Sequence, residues 1–311
     1  MHCVIVASKS FGYGAGKDQV GALFQKYGIN PVFSPLMEAG HALSEADGLI
    51  IGTEKVTRSI FDTAKRLRAV VKYGVGIDNI DTLAAREHGV RVLNLPGINA
   101  VTVAEMTLGL MLAVARRIAA GDRLIRAGKW EGLIGTDVVG KTLGVIGTGA
   151  IGCSLARLVS GFGMTVLGFD PVENPDFISA GGRYVTLDSI LESSDFLSLH
   201  LPLNDQTFHF VDSPMLARMK KGAILINTSR GYVVDEVALM EALSSGKLGG
   251  ASLDVFEEEP PSRKELVSME NAVFTPHIAA YTAETLRRMD DACLSALSGA
   301  LHDAEKGRIE K

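Results

Sequence analysis

A glycine pattern set between an apolar run and a helical one constrains this chain more than any other feature. Residues 143–146 are apolar, as in a buried parallel strand. Gly147, Gly149 and Gly152 follow in G-x-G-x-x-G spacing, and Leu155, Ala156, Leu158 and Val159 then keep helical spacing. Gly147 permits a tight turn, Gly149 lets backbone approach a pyrophosphate, and Gly152 lets helix pack close on strand. A helix starting here presents free N–H groups and a positive dipole end to phosphates. A second strand, residues 165–169, ends in Asp170. A carboxylate in that place accepts hydrogen bonds from the adenosine ribose and repels a 2′-phosphate, so the expected cofactor is NAD rather than NADP.

The rest of the chain reads as α/β. Residues 4–6, 32–33, 48–51, 69–71 and 90–93 have strand character, separated by helical segments such as 20–27, 59–64 and 82–87. Such alternation argues for a parallel sheet with helices on its faces. Pro96-Gly97 breaks the pattern, and a long apolar helix follows, starting near Asn99 or Thr102. Thr102 and Glu105 have capping-box spacing. A helix apolar nearly all round must be buried, between domains or against a second subunit. After Asp170, strands at 196–199, 223–227, 250–255 and 272–275 make a doubly wound domain. Residues 282–301 read as a helix with no strand to feed, expected to pack back on the sheet or the first domain.

Composition excludes several classes of function. The 311 residues suffice for two domains, and a net charge of −5 gives no general attraction to nucleic acid or an anionic membrane. The basic residues between 55 and 72 lack an aromatic platform and read as a solvated helix face. Cys3, Cys153 and Cys293 are scattered, which suggests neither a metal cluster nor a disulfide framework and fits a reducing cytoplasm. No signal-peptide pattern opens the chain, and the apolar run 106–115 is too short to span a bilayer. Gly12-Tyr13-Gly14-Ala15-Gly16-Lys17 has the look of a P-loop. Phe11 and Asp18 stand where glycine and a metal-binding hydroxyl are required, so it reads as a flexible turn.

Chemistry is expected at the carboxyl ends of the later strands. There the chain carries Thr228-Ser229-Arg230-Gly231, then Phe256-Glu257-Glu258-Glu259-Pro260, then Pro276-His277. A histidine can protonate the alkoxide left by hydride transfer to a carbonyl, and act as base in reverse. A carboxylate on its other ring nitrogen fixes the tautomer and stabilises the imidazolium. An arginine fork can hold a substrate carboxylate and polarise the carbonyl.

These residues identify a resemblance to the D-isomer-specific 2-hydroxyacid dehydrogenases over nearly the whole chain. It rests on the motifs above together with Gly74-Val75-Gly76-Ile77-Asp78-Asn79, the stretch 99–105, His200-Leu201-Pro202-Leu203 and Asp254-Val255-Phe256. The resemblance implies Arg230 as substrate anchor, His277 as acid/base and Glu259 as its orienting partner. Tyr73, Gly74, Val75 and Gly76 would meet the substrate, with Val75 and Gly76 offering N–H groups to its carboxylate. Ala150 and Ile151 would lie along the pyrophosphate and Asp170 on the ribose. His200, Pro202, Thr228, Ser229, Asp254 and Ala279 would line the rest of the cofactor site. It further implies two doubly wound parallel-sheet domains, a Rossmann NAD domain (99–285) inserted in a flavodoxin-like substrate domain (1–98 with 286–311). Closure by hinge motion and a homodimer joined through the NAD domain belong to the same expectation. No metal, nucleic-acid or membrane partner is expected.

The substrate is a D-2-hydroxyacid or its 2-oxoacid. D-3-phosphoglycerate is one candidate, because Lys72 occupies a place where a phosphate could be met. Glu54 would repel phosphate, and Tyr73 and Tyr281 add bulk with a polar tip, which suits hydroxypyruvate, glyoxylate or another small 2-oxoacid. Two other readings are an NAD-sensing protein like the corepressors of this family and hydride transfer from formate or phosphite. Glu257 and Glu258 are expected to be solvated, His200 to line the cleft without donating a proton, and His2, His41, His88, His209 and His302 to have no role.

Overall fold

A computed structural model describes residues 2–14 and 17–306. The P-loop-like turn therefore lies partly outside the described residues, at Ala15 and Gly16. Backbone contacts divide the chain into two compact units, Met1–Asn99 with Tyr281–Lys311, and Ala100–Ala280. The expected boundaries were 98/99 and 285/286, so the second junction lies a few residues earlier, before the last helix begins.

The first unit alternates β1 (His2–Val6), α1 (Lys17–Lys26), β2 (Ile29–Phe33), α2 (Gly40–Glu45), β3 (Gly48–Ile51), α3 (Arg58–Thr63), β4 (Ala69–Lys72), α4 (Thr82–Glu87) and β5 (Arg91–Leu93). Its strands are all parallel, in the order β2-β1-β3-β4-β5. This is the flavodoxin-like order, with the chain reversing direction between β1 and β3. The strands β3 and β4 are buried throughout, as apolar runs covered on both faces must be.

The second unit begins with α5 (Ala100–Ala115) and α6 (Ile118–Arg126). It continues through β6 (Thr142–Ile146), α7 (Ala150–Leu158), β7 (Thr165–Phe169), α8 (Pro175–Ser179), β8 (Gly182–Tyr184), α9 (Leu187–Ser193) and β9 (Phe196–Leu199). After these come α10 (Ser213–Arg218), β10 (Ala223–Asn227), α11 (Glu236–Ser244), β11 (Leu248–Leu253), α12 (Lys264–Val267) and β12 (Ala272–Phe274). Seven parallel strands run in the order β12-β11-β10-β9-β6-β7-β8. This is the Rossmann order carried on by one further strand, with its switch point between β6 and β9. The last helix, α13 (Ala283–Glu305), belongs to the first unit, where Leu286, Met289, Leu294, Leu297 and Leu301 join the core beside β1 and β4.

Three local expectations need correction. The helix α5 starts at Ala100, so Thr102 already lies inside its first turn and cannot cap it. Its burial is met within the second unit: Leu110, Met111, Val114 and Ala115 share a core cluster with Leu143, Val145, Leu155 and Ile226. The helix α6 and the short strand β8 were not expected. The strand β8 depends on Phe177 of α8, whose fully buried ring fills space that side chains at Gly168 and Gly182 would occupy. No helix among the described residues is long and apolar enough to cross a membrane.

Candidate active site

The glycine turn sits at the switch point. Gly147 has φ +91°, and a Cβ there would lie 2.4 Å from the carbonyl oxygen of His200, at the end of β9. Only glycine meets both demands. A Cβ on Gly152 would lie 2.5 Å from the Gly147 carbonyl, so helix and turn pack as the motif requires. Gly149, the N-cap of α7, faces open space and brings no capping side chain. The first N–H groups of α7, on Ala150 and Ile151, thus stand at a helix N-terminus with no capping side chain before them, and the residues present fit a dinucleotide. Asp170 follows β7; its Oδ2 accepts from the Thr148 N–H at 2.8 Å and its Oδ1 from the Val172 N–H at 3.1 Å.

The expected catalytic residues come from three neighbouring strands, β10, β11 and β12. At the end of β10, buried Asn227 shapes the turn. Its Oδ1 accepts from the Ser229 N–H (3.0 Å) and hydroxyl (2.7 Å), and its amide donates to the Arg230 carbonyl (2.8 Å). Arg230 donates from Nη1 to the Ser229 carbonyl at 2.7 Å. Ser229, expected beside the cofactor, thus spends its N–H, hydroxyl and carbonyl on the turn itself. The Thr228 hydroxyl pairs with that of Thr107 on α5 at 2.9 Å.

Gly231 then packs directly on the next loop. A Cβ there would lie 1.9 Å from the Phe256 carbonyl carbon and oxygen. The backbone of the Arg230 turn and the backbone leading to Glu259 are thereby held at contact distance. Glu259 accepts from the Phe256 N–H at 3.2 Å and from His277 Nδ1 at 2.7 Å. Burial alone would raise its pKa, but the His277 bond and charge, the Phe256 N–H and the nearby Arg230 outweigh it and hold the carboxyl below its ordinary value. His277 Nε2 makes no hydrogen bond among the described residues, which leaves that ring nitrogen for proton transfer.

Asp254, fully buried, builds the loop that carries His277. Its Oδ1 accepts from the Thr275 hydroxyl (2.6 Å) and the Ile278 N–H (2.9 Å), and its Oδ2 from the Ala279 N–H (2.8 Å). Its carbonyl takes the His277 N–H at 2.8 Å. His277 itself has φ +53°, a left-handed conformation rare for a residue with a side chain. The carboxylate expected near the nicotinamide is therefore saturated by the loop it organises.

Two expectations fail nearby. Glu257 is not solvated: its side chain is 8% exposed and takes Arg263 at 2.9 Å, His209 Nε2 at 3.0 Å and the Glu236 N–H at 3.1 Å. Glu236 returns the bond from the Glu257 N–H and also binds Arg263. His209 thus has a partner, and so does His88, which meets Asp62 at 3.0 Å. His209, Asp235 and Glu257 lie within metal-ligand range of one another, but Asp235 caps α11 and Glu257 is committed to Arg263. Those bonds account for the cluster without an ion. His200 bonds through Nε2 to the Ser198 hydroxyl at 3.0 Å, and burial pushes its pKa down to about 4, which favours the neutral ring. Pro202 accepts from the Thr207 hydroxyl through its carbonyl.

In the first unit, the segment after β4 turns through Gly74 at φ +145°. The N–H groups of Val75 and Gly76 make no hydrogen bond among the described residues. Tyr73 does not extend its polar tip outward as expected: it packs on Phe11 and donates to Asp290 Oδ1 at 2.7 Å. Burial and the neighbouring carboxylate raise its pKa. Lys72 is buried as well; its ammonium bonds to the Gly52 carbonyl and to Asn79 Oδ1, the latter at 2.9 Å.

A sequence model of the D-isomer specific 2-hydroxyacid dehydrogenase NAD-binding domain matches residues 108–279, more than half of the chain. The chain belongs to this family. It is 45% identical to a hydroxypyruvate reductase of Thermotoga maritima, over 79% of this chain and 82% of that one. It is 44% identical to a chloroplastic D-3-phosphoglycerate dehydrogenase of Arabidopsis thaliana, over 83% of this chain but 42% of that longer one. Among solved structures, a D-lactate dehydrogenase of Aquifex aeolicus in complex with NAD and lactic acid superposes with a TM-score of 0.83. It is 28% identical, over 98% of this chain and 96% of that one. As a member of the family, the chain is an NAD-dependent oxidoreductase that interconverts a D-2-hydroxyacid and its 2-oxoacid, acting on the CH–OH group.

Gly231→Ala tests the loop contact. The added methyl must push the Arg230 turn off the Glu259 loop, so kcat should fall by about 10² or more, as a misplacement near 1 Å can cause. A drop in melting temperature should accompany it, and both are read by steady-state kinetics and a thermal melt. Glu259 generates a second test. Its depressed pKa means that its stabilising bond is fully present above the ordinary glutamate value of 4.5 and is lost as pH falls through the lower, folded value. Glu259→Gln should therefore flatten the acid side of the stability curve, measured as melting temperature from about pH 3 to about pH 7.

Proposed function

We propose that the enzyme reduces a small 2-oxoacid without a phosphate, hydroxypyruvate or glyoxylate, rather than acting on 3-phosphoglycerate. The observation that carries this reading is Lys72. Its ammonium, the cation considered for a phosphate, is buried and tied to Gly52 and Asn79. Glu54 takes the Gly52 N–H at 2.6 Å, which puts a carboxylate at the same loop. A dianionic phosphate would have to compete for Lys72 against that framework. The identity to a hydroxypyruvate reductase supports the same choice.

On this reading, Arg230 holds the substrate carboxylate through its guanidinium fork and draws charge from the carbonyl oxygen. The N–H groups of Val75 and Gly76, which the Gly74 turn presents, are proposed to meet a substrate carboxylate. NADH, when bound, supplies the hydride that reaches the carbonyl carbon. The oxygen then receives a proton from His277 Nε2, while Glu259 at Nδ1 keeps the ring in the required tautomer and stabilises the imidazolium before transfer. In the reverse direction the same nitrogen takes the hydroxyl proton. Ala150 and Ile151 would lie along the pyrophosphate, Asp170 on the ribose, and the unit Ala100–Ala280 would act as the coenzyme domain with the other as the substrate domain. The three free cysteines suit a reducing cytoplasm.

The active form is proposed to be a homodimer. The helix α6 buries none of its residues and exposes Ile118 and Ile125. The extended stretch after it exposes Trp130 (92%) and Ile134 (95%). Large apolar side chains exposed along one continuous stretch mark an interface more often than a free surface.

A steady-state screen of 2-oxoacids with NADH should give the highest kcat/KM with hydroxypyruvate or glyoxylate; a preference for the phosphorylated acid would overturn the substrate assignment. His277→Ala should lower kcat on the preferred substrate by about 10² to 10⁴, with NADH affinity kept. In sedimentation, the protein should run as a dimer, and Trp130→Ala combined with Ile134→Asp should shift it toward monomer; an unshifted wild-type monomer would sink the dimer.

A further inference from the structure

We infer that Tyr184 and Asn174, outside every motif of the coenzyme site, are positioning residues that set its preference for NAD by locking Thr148 against Asp170. The inference rests on reading the 147–152 turn and Asp170 as the coenzyme site. Thr148, between Gly147 and Gly149, is 1% exposed, and each of its polar groups is used. Its N–H donates to Asp170 Oδ2 at 2.8 Å. Its hydroxyl meets the Tyr184 hydroxyl at 2.6 Å. Its carbonyl accepts from the Asn174 side-chain amide at 3.0 Å and from the Cys153 thiol at 3.3 Å. The circuit closes because the Asn174 N–H donates to the Tyr184 hydroxyl at 2.7 Å.

The consequence concerns the aim of one carboxylate. Asp170 stands in the loop between β7 and α8. Beside the Gly147 N–H bond to the Phe169 carbonyl at 2.9 Å, that loop is sewn to the glycine turn through Thr148, Asn174 and Tyr184 in the bonds just given. The Thr148 N–H fixes Oδ2 and the Val172 N–H fixes Oδ1, so Asp170 has one orientation as long as the two loops keep their separation. Tyr184 sets that separation from the third strand, β8. Its own ring is held by Phe177, 5.5 Å away, which packs where Gly168 and Gly182 leave room. Asn174 adds a second tie, since its Oδ1 also caps α8 through the Asp176 N–H at 3.0 Å. A fixed carboxylate both holds the ribose hydroxyls and repels a 2′-phosphate. One free to swing does neither well.

The test measures coenzyme binding directly, by fluorescence titration of NADH and NADPH on the purified chain. Tyr184→Phe and Thr148→Val each remove one partner of the hydroxyl pair. Each should raise the NADH Kd by a few-fold to about tenfold and the NADPH Kd by less than about twofold, so that discrimination shrinks. Thr148→Ser keeps the hydroxyl and should restore the wild-type ratio. Both Kd values unchanged, or both raised by the same factor, would overturn the inference, because a merely structural role moves the two coenzymes together. Gly149→Val separates this failure from failure of the site. If that variant still binds NADH as wild type does, the coenzyme site has been misplaced. If it loses NADH while Tyr184→Phe keeps its discrimination, only the role of Tyr184 is refuted.

Discussion

The carboxylate of Asp254 is buried, and the catalytic end of the second unit is assembled on it. Removing an ionised carboxylate from water costs several kcal/mol even after relaxation. Three donors offset that cost here, from Thr275, Ile278 and Ala279. Hydrogen bonds to a charged group contribute about 1.5–3 kcal/mol each, so the three recover part of that cost. Burial still leaves the Asp254 pKa raised, since the donors only partly compensate. The same bonds hold the chain at His277 in a left-handed conformation that costs about 1–2 kcal/mol. His277 can meet Glu259 because the loop is bent in this way. The strained backbone is thus stabilised by a carboxylate that never needs to reach the substrate.

Around this point the sheet does the gathering. The chain continues its ladders past the strand ends: the Asp254 N–H bonds to the Asn227 carbonyl and the Thr275 N–H to the Leu253 carbonyl, both at 3.0 Å. Residues far apart in sequence therefore leave the sheet side by side. Gly231 then removes the last gap, since a backbone-to-backbone approach there excludes every side chain. Farther along the same edge, Gly147 lies against the His200 carbonyl at the switch between β6 and β9. The glycine turn after β6 and the loops after β10, β11 and β12 lie along one row of strand ends with β9 between them, the edge where doubly wound sheets take their ligands.

What could be read from the sequence follows the range of the forces involved. The glycine turn and its flanking elements were legible because strand, turn and helix are local and each glycine has a steric reason. Arg230, Glu259 and His277 could be picked out as a set because each lies in a loop that follows a strand, and those strands are neighbours. Glu257 was misread, since a run of glutamates looks solvated until Arg263 and the α11 N-terminus are known to face it. Thr102 misled for the opposite reason: the capping spacing is present, but the helix begins two residues earlier. Thr148, Asn174 and Tyr184 gave no signal at all. Their bonds cross from the glycine turn to the loop before α8 and to β8, a short strand that packs with β7 under the Phe177 ring.

Lys72 shows how the surroundings of a charge decide its use. A basic residue at the end of β4 is placed where an anion could be met, and the sequence sets Glu54 nearby against that use. In the structure its ammonium closes the gap between the Gly52 loop and Asn79, whose amide also donates to the Gly52 and Glu54 carbonyls. An ammonium has three donors, and Gly52 and Asn79 take two of them. Freeing Lys72 would take a donor from both the Gly52 carbonyl and Asn79 Oδ1. The charge that the sequence offers to an anion is part of the scaffold beneath the Gly74 turn.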